Sequence, residues 1–253
     1  MTLIEAPSPN FNARTAPPDT IVLHYTGMRT GAEALDRLRD PEAKVSAHYL
    51  VEEDGRVFRL VPEERRAWHA GIGSWKGAAD LNSSSIGVEI VNPGHEFGYR
   101  EFPDAQVAAV IDLLDGIRGR WTVSNSQIIG HSDLAPERKD DPGELFPWKA
   151  LAEAGHGLWA EPSAAPGEPL AEGEEGAGVF ALQAGFTRLG YDIPSLLNMR
   201  KVLGASPSRA PEDPPAIITV QNFKGGVGKS TVTTHLAHYL AVAGYRVLVV
   251  DCD

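Results

Sequence analysis

Apolar residues in this chain fall into short blocks whose spacing alternates between that of strands and that of helices. Residues 20 to 25 (TIVLHY) form a run that predicts a buried strand, and GAEALDRLRD from Gly31 has the spacing of a short amphipathic helix stopped by Pro41. Between His48 and Leu60, two apolar stretches flank Glu53-Asp54-Gly55, where the Asp-Gly pair supplies the positive φ of a tight hairpin turn. SIGVEIV, from Ser85 to Val91, reads as a central strand covered on both faces, with Glu89 as its polar outlier. Val107, Val110, Ile111, Leu114 and Ile117 keep helical spacing between Pro103, suited to a first turn, and Gly119, suited to a C-terminal cap. A short strand from Ser126 to Gly130 ends at His131, followed by a loop through Lys139, Asp141, Pro142 and Gly143. Interleaved strands and helices imply an α/β fold, a mixed β-sheet flanked by helices, over residues 1–158.

The pattern changes beyond that domain. Residues 159–178 are rich in Pro, Gly, Ala and Glu (EPSAAPGEPLAEGEEGAG) and bury too little apolar surface to stay ordered, so they are expected to be a linker. In residues 179–197, Val179, Leu182, Phe186 and Leu189 predict one amphipathic helix up to Gly190, without evident partners. Residues 198–253 end in an incomplete β-loop-α-β pattern.

Composition narrows the function classes. A formal net charge of −11 with no basic block argues against broad nucleic-acid binding. The single cysteine, Cys252, excludes an intrachain disulfide. The first 14 residues hold Pro7, Pro9, Asn10 and Asn12 but no apolar core of a signal peptide, and no apolar run is long enough to span a bilayer. A cytoplasmic location is therefore expected, with the periplasm as the alternative, and a monomer is expected.

Zinc hydrolases use three protein ligands and one open position, with imidazole nitrogens and a carboxylate among the common donors. His24 follows Ile21-Val22-Leu23, His131 follows Ile128-Ile129-Gly130, and Asp141 lies in the loop beyond. Taken alone, each histidine could equally be a satisfied polar residue at a strand end. The wording around them is more specific: VLHYTG, SAHYLVEEDGRVFRLVPEERRAWHAG, SIGVEI and GHSDLAPERKDDPG, in that order. Across about residues 18 to 155 these motifs resemble the N-acetylmuramoyl-L-alanine amidase family, zinc amidases related to the peptidoglycan recognition proteins.

That resemblance implies Zn2+ (zinc) held by His24, His131 and Asp141, with Glu89 as the catalytic carboxylate and Lys139 as the nearby cation. It implies hydrolysis of the amide between N-acetylmuramic acid and L-alanine, in intact peptidoglycan or in muropeptides released from it. Asp140 competes with Asp141 as ligand on residue type alone, and the family's Lys-x-Asp-Pro-Gly order points to Asp141. The chemistry agrees: a Glu interrupting an apolar strand is costly to bury unpaired, and a role as proton acceptor explains it, although a solvent-facing Glu89 and a merely solvated Lys139 are the plain alternatives. His69 would line the site and contact substrate, or simply pack. Arg66 would clamp a substrate carboxylate, or form a surface salt bridge. His48 is expected to be structural, and His95, His156, His235 and His238 have no ligand context. A peptidoglycan-binding protein without activity is the alternative from the binding class, although such relatives typically lack a metal ligand.

The segment IITVQNFKGGVGKSTVTTHLAHYLAVAGYRVLVVDCD sets a glycine-rich loop between a strand and a helix. Phe223 stands where the strict P-loop pattern has its first glycine, but KGGVGKST resembles the deviant P-loop of ParA-type partition ATPases. The resemblance implies phosphate contacts from Gly226, Gly228 and Lys229 and a Mg2+ contact from Ser230 or Thr231. Because the chain ends at Asp253, most of such a domain is lacking, so ATP binding and a partition role are not expected. The helix FALQAGFTRLGYD resembles the first helix of small peptidoglycan-binding domains.

Overall fold

The computed structural model describes residues 2–159 and 177–191. Most of the linker and the whole P-loop fragment lie outside the described residues.

In chain order the strands are β1 (Leu3–Glu5), β2 (Phe11–Ala13), β3 (Thr20–Tyr25), β4 (Tyr49–Val51), β5 (Val57–Arg59), β6 (Arg65–Ala67), β7 (Ser85–Ile90) and β8 (Ile128–Gly130). The helices are α1 (Gly31–Arg39), α2 (Leu81–Ser84), α3 (Gly94–Phe97), α4 (Asp104–Arg118), α5 (His131–Leu134), α6 (Trp148–Glu153) and α7 (Ala177–Leu189). Six strands form one mixed sheet in the order β1-β5-β4-β7-β3-β8, and β2 pairs with β6 in a small antiparallel ribbon. This is the expected α/β layering. The β4–β5 hairpin is antiparallel with Gly55 at φ 85, and α4 starts and stops beside Pro103 and Gly119 as the spacing predicts.

β7 and β3 run parallel within the sheet, with β8 parallel beside β3 at its edge, and Ile21, Val22 and Leu23 are fully buried because both faces are covered. Successive side chains alternate between those faces. Ile21, Leu23, Ile86, Val88, Ile90 and Ile128 meet Val110, Leu113, Leu114 and Ile117 of α4 and Trp148 and Leu151 of α6 in the largest apolar cluster. Val22 and Ile129 point the other way, into a second cluster with Trp75, Leu81 and Leu134.

Four features depart from the sequence expectations. The N-terminal residues contribute β1 and β2, three-residue strands largely exposed to solvent, which carry no periodic apolar signal. Residues 125–127 form a 3-10 turn, so the strand expected from Ser126 begins at Ile128. His131 opens α5 rather than closing the strand. Finally, α7 has partners: Leu182, Phe186, Leu189 and the following Tyr191 pack on the second cluster, against Trp75 and Leu134 among others. Among the described residues no helix is long and apolar enough to cross a membrane.

Candidate metal centre and active site

His24 is the fifth residue of β3, on the face opposite Leu23, and in the parallel register it lies beside Glu89 of β7. Registered residues of paired strands share a face, so the polar outlier of the β7 strand stands next to the first histidine. β8 ends at Gly130, and His131 follows as the first residue of α5. The loop after α5 returns Asp141, whose carbonyl accepts a hydrogen bond from the Ser132 N–H at 2.9 Å.

The three side chains meet at one point. His24 Nδ1 lies 3.0 Å from His131 Nδ1, and Asp141 Oδ2 lies 2.9 Å from the former and 3.0 Å from the latter. All three residues are buried. Two imidazole nitrogens facing one another at this distance, beside a carboxylate oxygen, form a donor set that suits a cation at its centre. A tetrahedral zinc with bonds of roughly 2.0–2.1 Å would set its ligand atoms about 3.3 Å apart, a short relaxation from these distances. Among the described residues, His24, His131 and Asp141 form the group of metal-type donors; Asp140 lines the same cleft but stands outside that group.

Electrostatics favour the ligating protonation states. Burial, reinforced by His131, lowers the His24 pKa to about 4, which leaves a neutral ring with a free lone pair. Burial alone would push the Asp141 carboxyl up, but His131 and His24 outweigh it and hold the group well below the usual carboxylate range.

The outer contacts of the histidines come from one loop. His24 Nε2 lies 3.1 Å from His69 Nδ1, and His131 Nε2 donates to the Ala70 carbonyl at 2.9 Å. Asn82 Oδ1 accepts the backbone N–H groups of His69 and Ala70 at 2.9 and 2.8 Å, which pins that loop. His69 Nε2 lies 3.3 Å from the Ser85 hydroxyl, which donates in turn to the Leu81 carbonyl. The His69 ring fits only because residue 87 is glycine: a Cβ there would sit 2.6 Å from His69 Nδ1.

The triangle opens onto a cleft of about 420 Å³ whose walls include Tyr25, Trp68, His69, Glu89, Arg138 and Lys139. Glu89 is half-buried, and its Oε2 has neither solvent contact nor a hydrogen-bond partner. Burial and the negative charge of Asp141, partly offset by Lys139, raise its pKa to about 8. An unsatisfied buried oxygen is costly, and a carboxyl so perturbed at the wall of a cleft marks a candidate functional group.

The Arg66 guanidinium is paired with Asp80 at 2.8 Å and touches Asn12 at 3.3 Å, the surface ion pair that stood as the alternative to a substrate clamp, and Arg66 is not among the residues that line the cleft. His48 is structural as expected, its Nδ1 accepting the Gly87 N–H at 2.9 Å. The candidate nucleotide contacts Gly226, Gly228, Lys229, Ser230 and Thr231 lie outside the described residues.

Some supporting residues escape sequence reading. Tyr99 donates its hydroxyl to the Pro142 carbonyl at 2.7 Å and accepts the Leu145 N–H at 3.0 Å, which holds the loop carrying Asp141. Arg138 donates to the Ala70 carbonyl at 3.2 Å. Its neighbour Lys139 drew attention through the family motif, whereas the Ala70 carbonyl has no side-chain signal at all.

A family model described as N-acetylmuramoyl-L-alanine amidase matches residues 14–144, just over half of the chain. The chain belongs to this family. The N-acetylmuramoyl-L-alanine amidase AmiD of Escherichia coli (strain K12) is 40% identical over 153 residues, covering 56% of this chain and 54% of that protein. The chain thus spans about half the length of that relative. The 1,6-anhydro-N-acetylmuramyl-L-alanine amidase AmpD of Haemophilus influenzae is 32% identical over 162 residues, covering 56% of this chain and 86% of that one. In three dimensions, the complex of E. coli AmiD with anhydro-N-acetylmuramic acid-L-Ala-D-γ-Glu-L-Lys superimposes with a TM-score of 0.61 at 35% identity, covering 72% of this chain and 76% of that one. The mixed sheet flanked by helices is therefore the family fold. A second family model, the CobQ/CobB/MinD/ParA nucleotide binding domain, matches residues 218–253, in agreement with the P-loop resemblance.

Proposed function

We propose that this family member hydrolyses the amide between N-acetylmuramic acid and L-alanine in peptidoglycan fragments, with zinc held by His24 Nδ1, His131 Nδ1 and Asp141 Oδ2. The observation that carries the reading is the convergence of those three atoms beside the unpartnered Glu89 carboxylate oxygen, at the floor of an open cleft. A bound zinc polarises a carbonyl and lowers the pKa of water to about 7.

The chain's own groups supply the rest. Glu89 accepts the proton of the attacking water and passes it to the departing L-alanine amine. A single carboxylate serves both halves of that transfer, because it takes the proton and then releases it. Lys139 brings an ammonium to the oxyanion that develops on the former carbonyl. As ligands, His24 and His131 would turn their Nδ1 lone pairs to the triangle, which leaves their protons on Nε2. These protons are donated to His69 Nδ1 and to the Ala70 carbonyl, which fixes both rings. His69 thereby acts as a positioning residue rather than a substrate contact. Arg138 and Lys139 along the cleft suit the carboxylates of a stem peptide, and Trp68 offers an apolar face to a sugar ring.

The test is digestion of a defined anhydro-muropeptide and of intact sacculi by the full chain. Release of the L-alanine peptide, lost with a chelator and restored by zinc, is the expected result. Cleavage that persists through complete metal removal, or a zinc-loaded protein that cuts neither substrate, would overturn the reading.

A further inference from the structure

The segment after the linker touches the amidase domain at the place that sets its metal ligands. α5 is that place. Its first residue is His131, and the N–H of its second, Ser132, holds the Asp141 carbonyl at 2.9 Å. Two of the three ligands therefore move with α5. Its third residue, Asp133, is buried and divides its carboxylate: Oδ2 accepts the Gly130 N–H at 2.7 Å, and Oδ1 accepts the hydroxyl of Tyr191. Tyr191 comes from the far side of the linker, directly after α7.

The contact is built rather than grazing. Tyr191 is buried and its ring lies edge-on to Trp75, with centroids 5.0 Å apart. Leu189 is buried in the cluster that contains Val22, Ile129 and Leu134, neighbours in sequence of the ligand histidines. The Lys76 N–H donates to the Gly190 carbonyl at 2.8 Å. Gly190 has φ +127, and a Cβ there would lie 2.6 Å from the Lys76 side chain, so only glycine permits this approach.

We propose that residues 177–191 form a brace for the metal site, in which α7 and Tyr191 fix α5 and thereby the placement of His131 and Asp141. The catalytic unit then extends past the linker rather than ending near residue 158. The inference rests on the reading of His24, His131 and Asp141 as zinc ligands. Coupling of this kind is reciprocal: if the brace tightens zinc binding, zinc must tighten the docking of the brace.

The experiment uses the full chain, with zinc affinity measured by competition against a chelator of known strength and backbone hydrogen exchange followed across residues 177–191. Tyr191→Phe, which removes only the hydroxyl, should weaken zinc binding roughly tenfold, the scale of lost outer contacts at metal sites, while the melting temperature of the metal-free protein stays near wild type. Leu189→Ser, which undocks α7, should weaken zinc at least as much and abolish exchange protection of 177–191. In the wild type, adding zinc should slow exchange in that segment. With cobalt in place of zinc, the visible absorption should change in Tyr191→Phe. Wild-type zinc affinity in both variants, or exchange in 177–191 that ignores zinc, would overturn the brace. A wild-type chain that fails to bind zinc, or a His131→Ala variant that binds it normally, would instead strike at the ligand assignment.

Discussion

The two faces of the parallel strands are built from alternate residues of the same short segments yet serve opposite ends. On one face, Ile21, Leu23, Ile86, Val88, Ile90 and Ile128 lie under α4 and α6 in a continuous apolar layer. On the other, His24 and Glu89 stand side by side over the cleft, and Gly87 leaves the space that His69 fills. An offset of one residue along a strand separates packing from chemistry. Burying one aliphatic side chain contributes about 1.5–3 kcal/mol, so the first face can stabilise a second face that holds an unsatisfied carboxylate.

Substitutions that treat the faces as interchangeable should expose the difference. Glu89→Gln keeps the shape of the side chain and removes its proton affinity; kcat on a muropeptide should fall by roughly 10²–10⁴-fold with zinc stoichiometry intact, and an unchanged kcat would mean that this face does no proton transfer. On the covered face, Leu114→Ala should cost about 2–5 kcal/mol in denaturant unfolding, while the fraction still folded turns over normally. His69 offers a finer test. His69→Gln places no acceptor where Nδ1 stands and should weaken zinc binding about 10–100-fold, whereas His69→Asn can present its amide oxygen to His24 Nε2 and should recover most of that loss. If the two variants behave alike, His69 merely fills space. The smallest effect belongs to Arg66→Ala: its exposed pair with Asp80 should be worth less than about 1 kcal/mol, with KM unaltered.

Much of this division is legible in the chain itself. The helix from Asp104 to Arg118 is announced by apolar spacing and by its flanking Pro and Gly, and Glu89 stands out because it breaks an otherwise apolar strand. The ligand candidates could be named because family motifs add order to residue type. What stayed hidden depends on contacts distant in sequence or on strands too short to carry a period. β1, β2 and β6 are each three residues long, and the partner of Arg66 lies 14 positions away on another element. The apolar stripe of α7 was visible, but its receiving surface is assembled from Trp75, Leu134 and their neighbours, which no local pattern groups together.

His24 and His131 are 107 positions apart, yet their ring nitrogens sit 3.0 Å from each other. An ion shared between them works as a reversible crosslink across nearly the whole amidase domain, absent from the unfolded chain. At a free-ion concentration one hundredfold above its Kd, such a link would add about 2.7 kcal/mol to folding. The supply of metal would then govern how long each copy survives proteolysis, as well as how fast it works.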